Sequence, residues 1–228
     1  MRRSAIALFV GFFLLLAARV PSVGAQTLFL DYVGFDYENP NPDGSQFGEA
    51  GSGYVGLGFM PGLFAPLVAD SATNQYTYHI HGLTSLGPVA VGPFIIVNYT
   101  AGVLDVYEDS KLSGTNADYG VNPPNGTAPF TFTDGALFVS GALTNFQVII
   151  NVTDGSGSYE GNYEVTGGAQ LSNVPVNQRK GWTFSGVTRN ALNIPLGYAH
   201  QVDGQVFLNQ PVSVRGASWG QIKEKYRR

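Results

Sequence analysis

Two of the three histidines in this 228-residue chain stand two positions apart, at His79 and His81. On a strand, residues i and i+2 project from the same face. The pair could therefore present two imidazoles to zinc or copper, with His200 as a third ligand. Gln75 and Thr77 share that face, and a row of solvated side chains explains it equally well. Carboxylates are the second candidates. Asp105, Glu108, Asp109 and Asp118 cluster in sequence, Asp43 sits in an Asn/Pro/Gly loop, and Asp154, Ser156, Ser158 and Glu160 alternate through a turn. Calcium takes roughly six to eight oxygens, but no stretch has EF-hand spacing, and Asp154-Gly155-Ser156-Gly157 is also ordinary turn chemistry. The metal candidates are thus His79, His81, Asp105, Glu108 and Asp109, and no motif demands a cofactor, calcium being the one left open.

Signatures of catalysis are missing from the sequence. Glycoside hydrolysis needs opposed carboxylates, whereas Glu160 and Glu164 fall on one face of one strand. No nucleophile elbow of the Gly-x-Ser-x-Gly kind occurs; Gly51-Ser52-Gly53 and Gly155-Ser156-Gly157 belong to a loop and a turn. With no cysteine, thiol catalysis, thiolate metal sites and disulfides are all excluded. Tyr32, Tyr37, Tyr99, Tyr107, Tyr119, Trp182 and Tyr198 could stack on a sugar, although most aromatic residues of a β-domain are core. A further candidate is the basic end, where Trp219, Ile222 and Tyr226 would share one face of a short helix capped by Ser218, with Lys223 beside them. That segment reads either as a docking tail for export machinery, an anionic surface or the acidic body, or as a solvated end.

The elements that must position these groups begin after a leader. Arg2 and Arg3 precede an uncharged apolar run over residues 5–18, and Val23-Gly24-Ala25 supplies a small-residue cleavage pattern. The expectation is a secretory signal peptide over residues 1–25, cut between Ala25 and Gln26, with no membrane-spanning segment in the mature chain. Without Arg2, Arg3 and Arg19 the mature chain has 9 basic and 16 acidic residues. The body over residues 26–214 holds only Lys111, Arg179, Lys180 and Arg189 against 15 acids, a balance that excludes nucleic acid as a partner.

Charged residues are few, at 12%, while 30 glycines, 12 tyrosines and 15 phenylalanines point to short strands and tight turns. Strands are expected at residues 27–35, 53–59, 74–81, 94–99 and 103–107, the last two as a hairpin about Thr100-Ala101-Gly102. Further strands are expected at residues 130–133, 136–140, 168–172, 182–187 and 205–208. The clearest pattern is a hairpin: Phe146, Val148, Ile150 and Val152 on one apolar face, a turn at Asp154, and a return alternating Tyr159, Gly161, Tyr163, Val165 against polar residues. In Asn74–His81 the same rule puts Tyr76, Tyr78 and Ile80 on one face and the histidines on the other. The fold class is therefore all-β: an antiparallel β-sandwich, jelly-roll-like, or a barrel as the alternative, over residues 26–212, followed by a basic tail over residues 213–228 that could form a short amphipathic helix.

Some of these segments resemble a known group. Phe132-Thr-Asp-Gly-Ala-Leu-Phe-Val-Ser-Gly141, Gly155-Ser-Gly-Ser-Tyr-Glu-Gly161, Val165-Thr-Gly-Gly168, Gly181-Trp-Thr-Phe-Ser-Gly-Val187 and Gly197-Tyr-Ala-His-Gln-Val-Asp-Gly204 are similar to exported bacterial β-proteins of the PEP-CTERM type, over roughly residues 70–210. The Pro-Glu-Pro motif and anchor helix of that group do not stand after Pro211. The resemblance implies an exported bacterial β-domain and supplies no catalytic residues. The expected function is a secreted, non-enzymatic extracytoplasmic module of structural or adhesive type. A carbohydrate- or calcium-binding module is the second reading and a secreted hydrolase the third. Cell-surface or matrix components, polysaccharide, and export machinery through the tail are the partners considered.

Overall fold

The computed structural model describes residues 26–40, 47–120, 128–191 and 193–209. The leader at 1–25, Asp43 and the basic tail at 213–228 lie outside the described residues. In chain order the elements are β1 (Gln26–Asn39), β2 (Gly53–Leu63), β3 (Asn74–Val91), β4 (Phe94–Tyr99), β5 (Gly102–Ser110), the helical turn α1 (Phe130–Thr133), β6 (Ala136–Asn151), β7 (Gly157–Gly167), β8 (Trp182–Arg189) and β9 (His200–Asn209). Of the two β architectures expected, the chain adopts the barrel. Its order runs β1-β2-β3-β5-β6-β7-β8-β9, and β9 pairs with β1 to close eight strands into an antiparallel ring. Closure removes the open sheet edges that a sandwich would have to protect.

The hairpin expected over residues 94–107 does not form. β4 and β5 are two segments of one kinked path between β3 and β6. Ser85–Val91 of β3 pairs with β4, and Asn74–His81 pairs with β5. On its other side β4 meets Gln147–Asn151 of β6, and β5 meets Ala136–Leu143. The kink at Thr100 is held by its N–H on Thr84 O and by Thr84 N–H on its hydroxyl, both at 2.9 Å. The strands expected at 136–140 and 146–153 are one continuous β6, offset by a bulge where Asn145 takes φ 53°.

Two expected strands are not strands. Residues 130–133 form the single turn α1, closed by Phe132 N–H on Pro129 O, which places Phe132 against the outside of the barrel. Residues 168–172 break from the sheet because Gly168 sits at φ 90° with Phe138 and Val139 backbone against it, and a 3-10 turn follows at Leu171–Asn173.

An eight-stranded barrel has an interior about wide enough for side chains to fill, and here rings fill it. Tyr32, Tyr54, Tyr78, Phe146, Tyr159 and Phe184 are all buried, with centroids such as Tyr32–Phe184 and Tyr54–Phe146 both 5.1 Å apart. Phe29 stacks on Trp182 at 4.5 Å nearer one end. The inward positions beside these rings are glycine. Tyr78 lies in one row with Gly58 and Gly34, Tyr159 in one row with Gly186 and Gly204, and Tyr163 packs over Gly141. Outside, β7–β9 present Glu160, Asn162, Arg189, Asp203 and Gln205 to water. On these residues the polarity is the reverse of a lipid-facing strand. Among the described residues no helix is long and apolar enough to cross a membrane.

The expected faces hold in detail. Phe146, Val148 and Ile150 point inward with Tyr159, Tyr163 and Val165, while Val152 lies past the strand end and is exposed. Over the outer face of β1 and β2, a second apolar cluster gathers Tyr37, Leu57, Phe132 and Tyr198, with Phe35, Phe59 and Tyr119 at its margin. It carries residues 117–120, 128–134 and 193–199 on the barrel wall.

A Cβ on Gly141 would fall on the Tyr163 ring, with Glu164 O only 2.7 Å away. Gly141→Ala should cost about 1–3 kcal/mol in urea denaturation. Gly53→Ala, whose Cβ would have its nearest neighbour at 3.9 Å, should stay within about 0.5 kcal/mol of the parent.

Candidate functional site

Extending the alternation of β1 beyond Phe35 puts Asp36 and Glu38 on the inward face that carries Tyr32. Both carboxylates are buried, at 1% and 0% exposure. A buried carboxylate needs donors on its oxygens, and each has them. Asp36 Oδ1 accepts the backbone N–H of His200 at 2.9 Å and its Nδ1–H at 3.0 Å, and Oδ2 accepts the Tyr54 hydroxyl at 3.3 Å. Glu38 Oε1 accepts the Tyr99 hydroxyl and Oε2 the Gly48 N–H, both at 2.6 Å. Gly48 is confined to glycine: its φ is 84° and a side chain would strike Val97. Its carbonyl accepts the Ser85 hydroxyl at 2.6 Å.

These contacts build a polar layer across one end of the aromatic core. Burial pushes the Glu38 carboxyl up, Tyr99 and Gly48 pull it down through hydrogen bonds, Asp36 raises it further, and the net shift is upward. For His200, burial lowers the imidazole, but the charge and hydrogen bond of Asp36 and the charge of Glu38 raise it more, so it ends above the ordinary value. Phe47 meets the His200 ring edge-on at 4.8 Å. The arrangement orients an imidazole rigidly: with Nδ1 committed to Asp36, Nε2 is the nitrogen left to exchange a proton or a hydrogen bond.

His79 and His81 face outward from β3, as their spacing requires, and their rings stack at 4.4 Å. His81 Nε2 donates to Asp105 Oδ2 at 3.1 Å. Asp105 is lowered: burial works upward, but the hydrogen bond and charge of His81 outweigh it. His79 is lowered to about 4, by burial first and by the neighbouring His81 next. His200 stands instead at the start of β9, bonded to Asp36 at one end of the core, so the three histidines do not share a site. Glu108 is turned to the other face, where Tyr76 and Asn74 donate to it, and Asp109 accepts from Gln75. Of the candidate metal residues, His79, His81 and Asp105 stay adjacent while Glu108, Asp109 and His200 bond elsewhere, and among the described residues no three His, Asp or Glu side chains are grouped to hold a metal ion.

The remaining candidates also resolve. Asp154 accepts the N–H and hydroxyl of Ser156 at 2.9 and 2.6 Å, which is turn chemistry. Glu160 and Glu164 lie on the wet face of β7, Glu164 pairing with Lys180 at 2.9 Å. Tyr32, Tyr99 and Trp182 are interior core, and Tyr37 and Tyr198 belong to the outer cluster, so these aromatic residues form no exposed stacking platform. Gln26 opens β1, while Ala25, Trp219, Ile222, Lys223 and Tyr226 lie outside the described residues.

Histidine NMR should give His200 a midpoint above the ordinary 6.5 and His79 one near 4. The His200 contribution to stability is complete below 6.5 and is lost as pH rises through its raised midpoint. That of His79 runs oppositely, complete above 6.5 and lost as pH falls toward about 4. Asp36→Asn should drop the His200 midpoint below its parent value, and an unmoved midpoint would refute the pairing. Tyr99→Phe, which strips a donor from buried Glu38 Oε1, should cost about 1–3 kcal/mol by urea denaturation.

Compared with known protein families, curated proteins and solved structures, the chain matches none of them.

Proposed function

We propose that the protein acts as a non-enzymatic extracytoplasmic module of structural or adhesive type. The observation that carries this is the interior of the barrel. In a barrel that works on a ligand inside, inward positions leave a chamber; here they hold the rings of Tyr32, Tyr54, Tyr78, Phe146, Tyr159 and Phe184 in mutual contact. Both interior carboxylates are engaged by protein donors rather than opposed across a cleft, which disfavours hydrolysis of the two-carboxylate kind. The leader-like residues 1–25 support export, and the likeness of residues 70–210 to exported bacterial β-proteins supports the same destination. A closed ring with polar residues along the outside of β7–β9 and a rigid aromatic filling suits a spacer or surface module that must keep its shape outside the cell.

Expression of the full chain in a bacterial host, followed by fractionation and mass spectrometry, tests the proposal. The expected product begins at Gln26, is recovered outside the cytoplasm and associates with the cell envelope or its matrix. It should hydrolyse ester, glycoside and peptide substrates no faster than buffer. An uncut chain retained in the cytoplasm would defeat the export element. Turnover that disappears in Asp36→Asn would defeat the non-enzymatic one.

A further inference from the structure

Beside the buried Asp36–His200 pair, residues 190–191 and 194–200 border a depression of about 440 Å³. Asn190, Ala191, Ile194, Leu196, Tyr198 and His200 line it, and the β6–β7 turn at Gly155 forms its opposite rim. The wall is fixed before any ligand arrives. Ala199 N–H donates to Asp36 O at 2.7 Å, Tyr198 N–H to Pro195 O at 3.1 Å, and the Tyr198 hydroxyl to Tyr119 O at 3.2 Å. The Tyr198 ring is clamped between Tyr37 and Tyr119 at 5.4 and 5.5 Å. Preformed walls spare a ligand the cost of ordering a loop.

The chemistry of the lining selects the ligand. Among the described residues the lining includes no Asp, Glu, Lys or Arg, so the ionisable base they offer a ligand is His200. An anion would lie close to Asp36 and Glu38 on a body that carries 15 acids against four bases, and a cation would face an imidazole held in a raised state of protonation. A hydroxyl group suits both forms of the ring, accepting from Nε2–H or donating to bare Nε2. The Asn190 amide has the same dual character. Ile194, Pro195 and Leu196 add apolar surface for a carbon face.

We propose that this depression binds a neutral, hydroxyl-rich ligand of the saccharide class, with His200 Nε2 and the Asn190 amide holding its hydroxyl groups and Ile194 and Leu196 covering its carbon face. The site is independent of the scaffold role proposed above: a structural module with or without a sugar subsite remains a structural module. It also locates binding in a loop-lined hollow, away from the tyrosines and tryptophan that the sequence offered for stacking.

Titration of the isotope-labelled mature chain with methyl glycosides of glucose, galactose, mannose and N-acetylglucosamine, to about 100 mM so that millimolar affinities register, tests the site. Sodium acetate and trimethylammonium chloride serve as anionic and cationic probes. At least one glycoside should shift the His200, Asn190 and Leu196 signals together and saturably. Asn190→Ala, at an exposed position, should weaken that binding about tenfold through the lost hydrogen bond without changing Tm. Ala191→Trp should fill the hollow and abolish it. The proposal is overturned if no glycoside moves these three signals, if acetate or trimethylammonium moves them as strongly, or if Asn190→Ala binds like the parent.

Discussion

A closed ring of eight strands encloses a space whose width the strand number sets, and filling that space with side chains governs most of what else this sequence does. Tyrosine and phenylalanine rings reach the axis, but they can lie there only where the facing wall is thin. Inward glycines thin it. Gly34 and Gly58 make room for Tyr78, Gly186 and Gly204 for Tyr159, and Gly141 for Tyr163. Large and small residues alternate around the circumference to match the taper of a small barrel. The unusual joint abundance of glycine and aromatic residues is the composition this packing requires. Stability rests on this filling and on the closed hydrogen-bond ring, since a chain without cysteine has no disulfide to restrain its unfolded state.

The same packing explains why carboxylates can sit inside. The aromatic filling ends near the level of Tyr54 and Tyr99, whose hydroxyls point at Asp36 and Glu38. Tyrosine has an apolar body and a polar tip, so a layer of tyrosines turns one end of an oily core into a set of hydrogen-bond donors. Gly48 and the His200 backbone complete the set from the loops that close over this end. Desolvation then appears in the direction expected of it, as the upward shift of Glu38.

Much of the strand pattern was legible because period-2 alternation is a local property. Phe146, Val148 and Ile150 against Tyr159, Tyr163 and Val165, and the outward histidines of β3, follow from spacing alone. Closure was not, because pairing β9 with β1 joins residues more than 160 positions apart and leaves no mark on either strand by itself. The turn-like Thr100-Ala101-Gly102 proved to be a kink within one path: turn chemistry reports that the backbone bends and is silent on whether it reverses. β2 was expected over residues 53–59 and runs on to Leu63, although Gly56 and Gly58 occupy inward positions that a hydrophobicity pattern scores as empty. The polar layer was missed. Asp36 and Glu38 look like the end of an apolar strand, yet their parity with Tyr32 was readable and would have placed them inside.

Asp36 is where barrel, loop and site become one structure. Its backbone carbonyl holds Ala199, one carboxylate oxygen holds both the backbone and the ring of His200, and the other holds Tyr54. A single residue of β1 thus fixes the start of β9, the orientation of the imidazole and one ring of the core. A carboxylate is suited to this because its two oxygens accept several hydrogen bonds; an amide in its place would turn an N–H toward one of these donors. The position of His200 is therefore a consequence of how the barrel closes. Whatever binds beside that ring meets a group that the fold itself, through the β1–β9 seam, holds still.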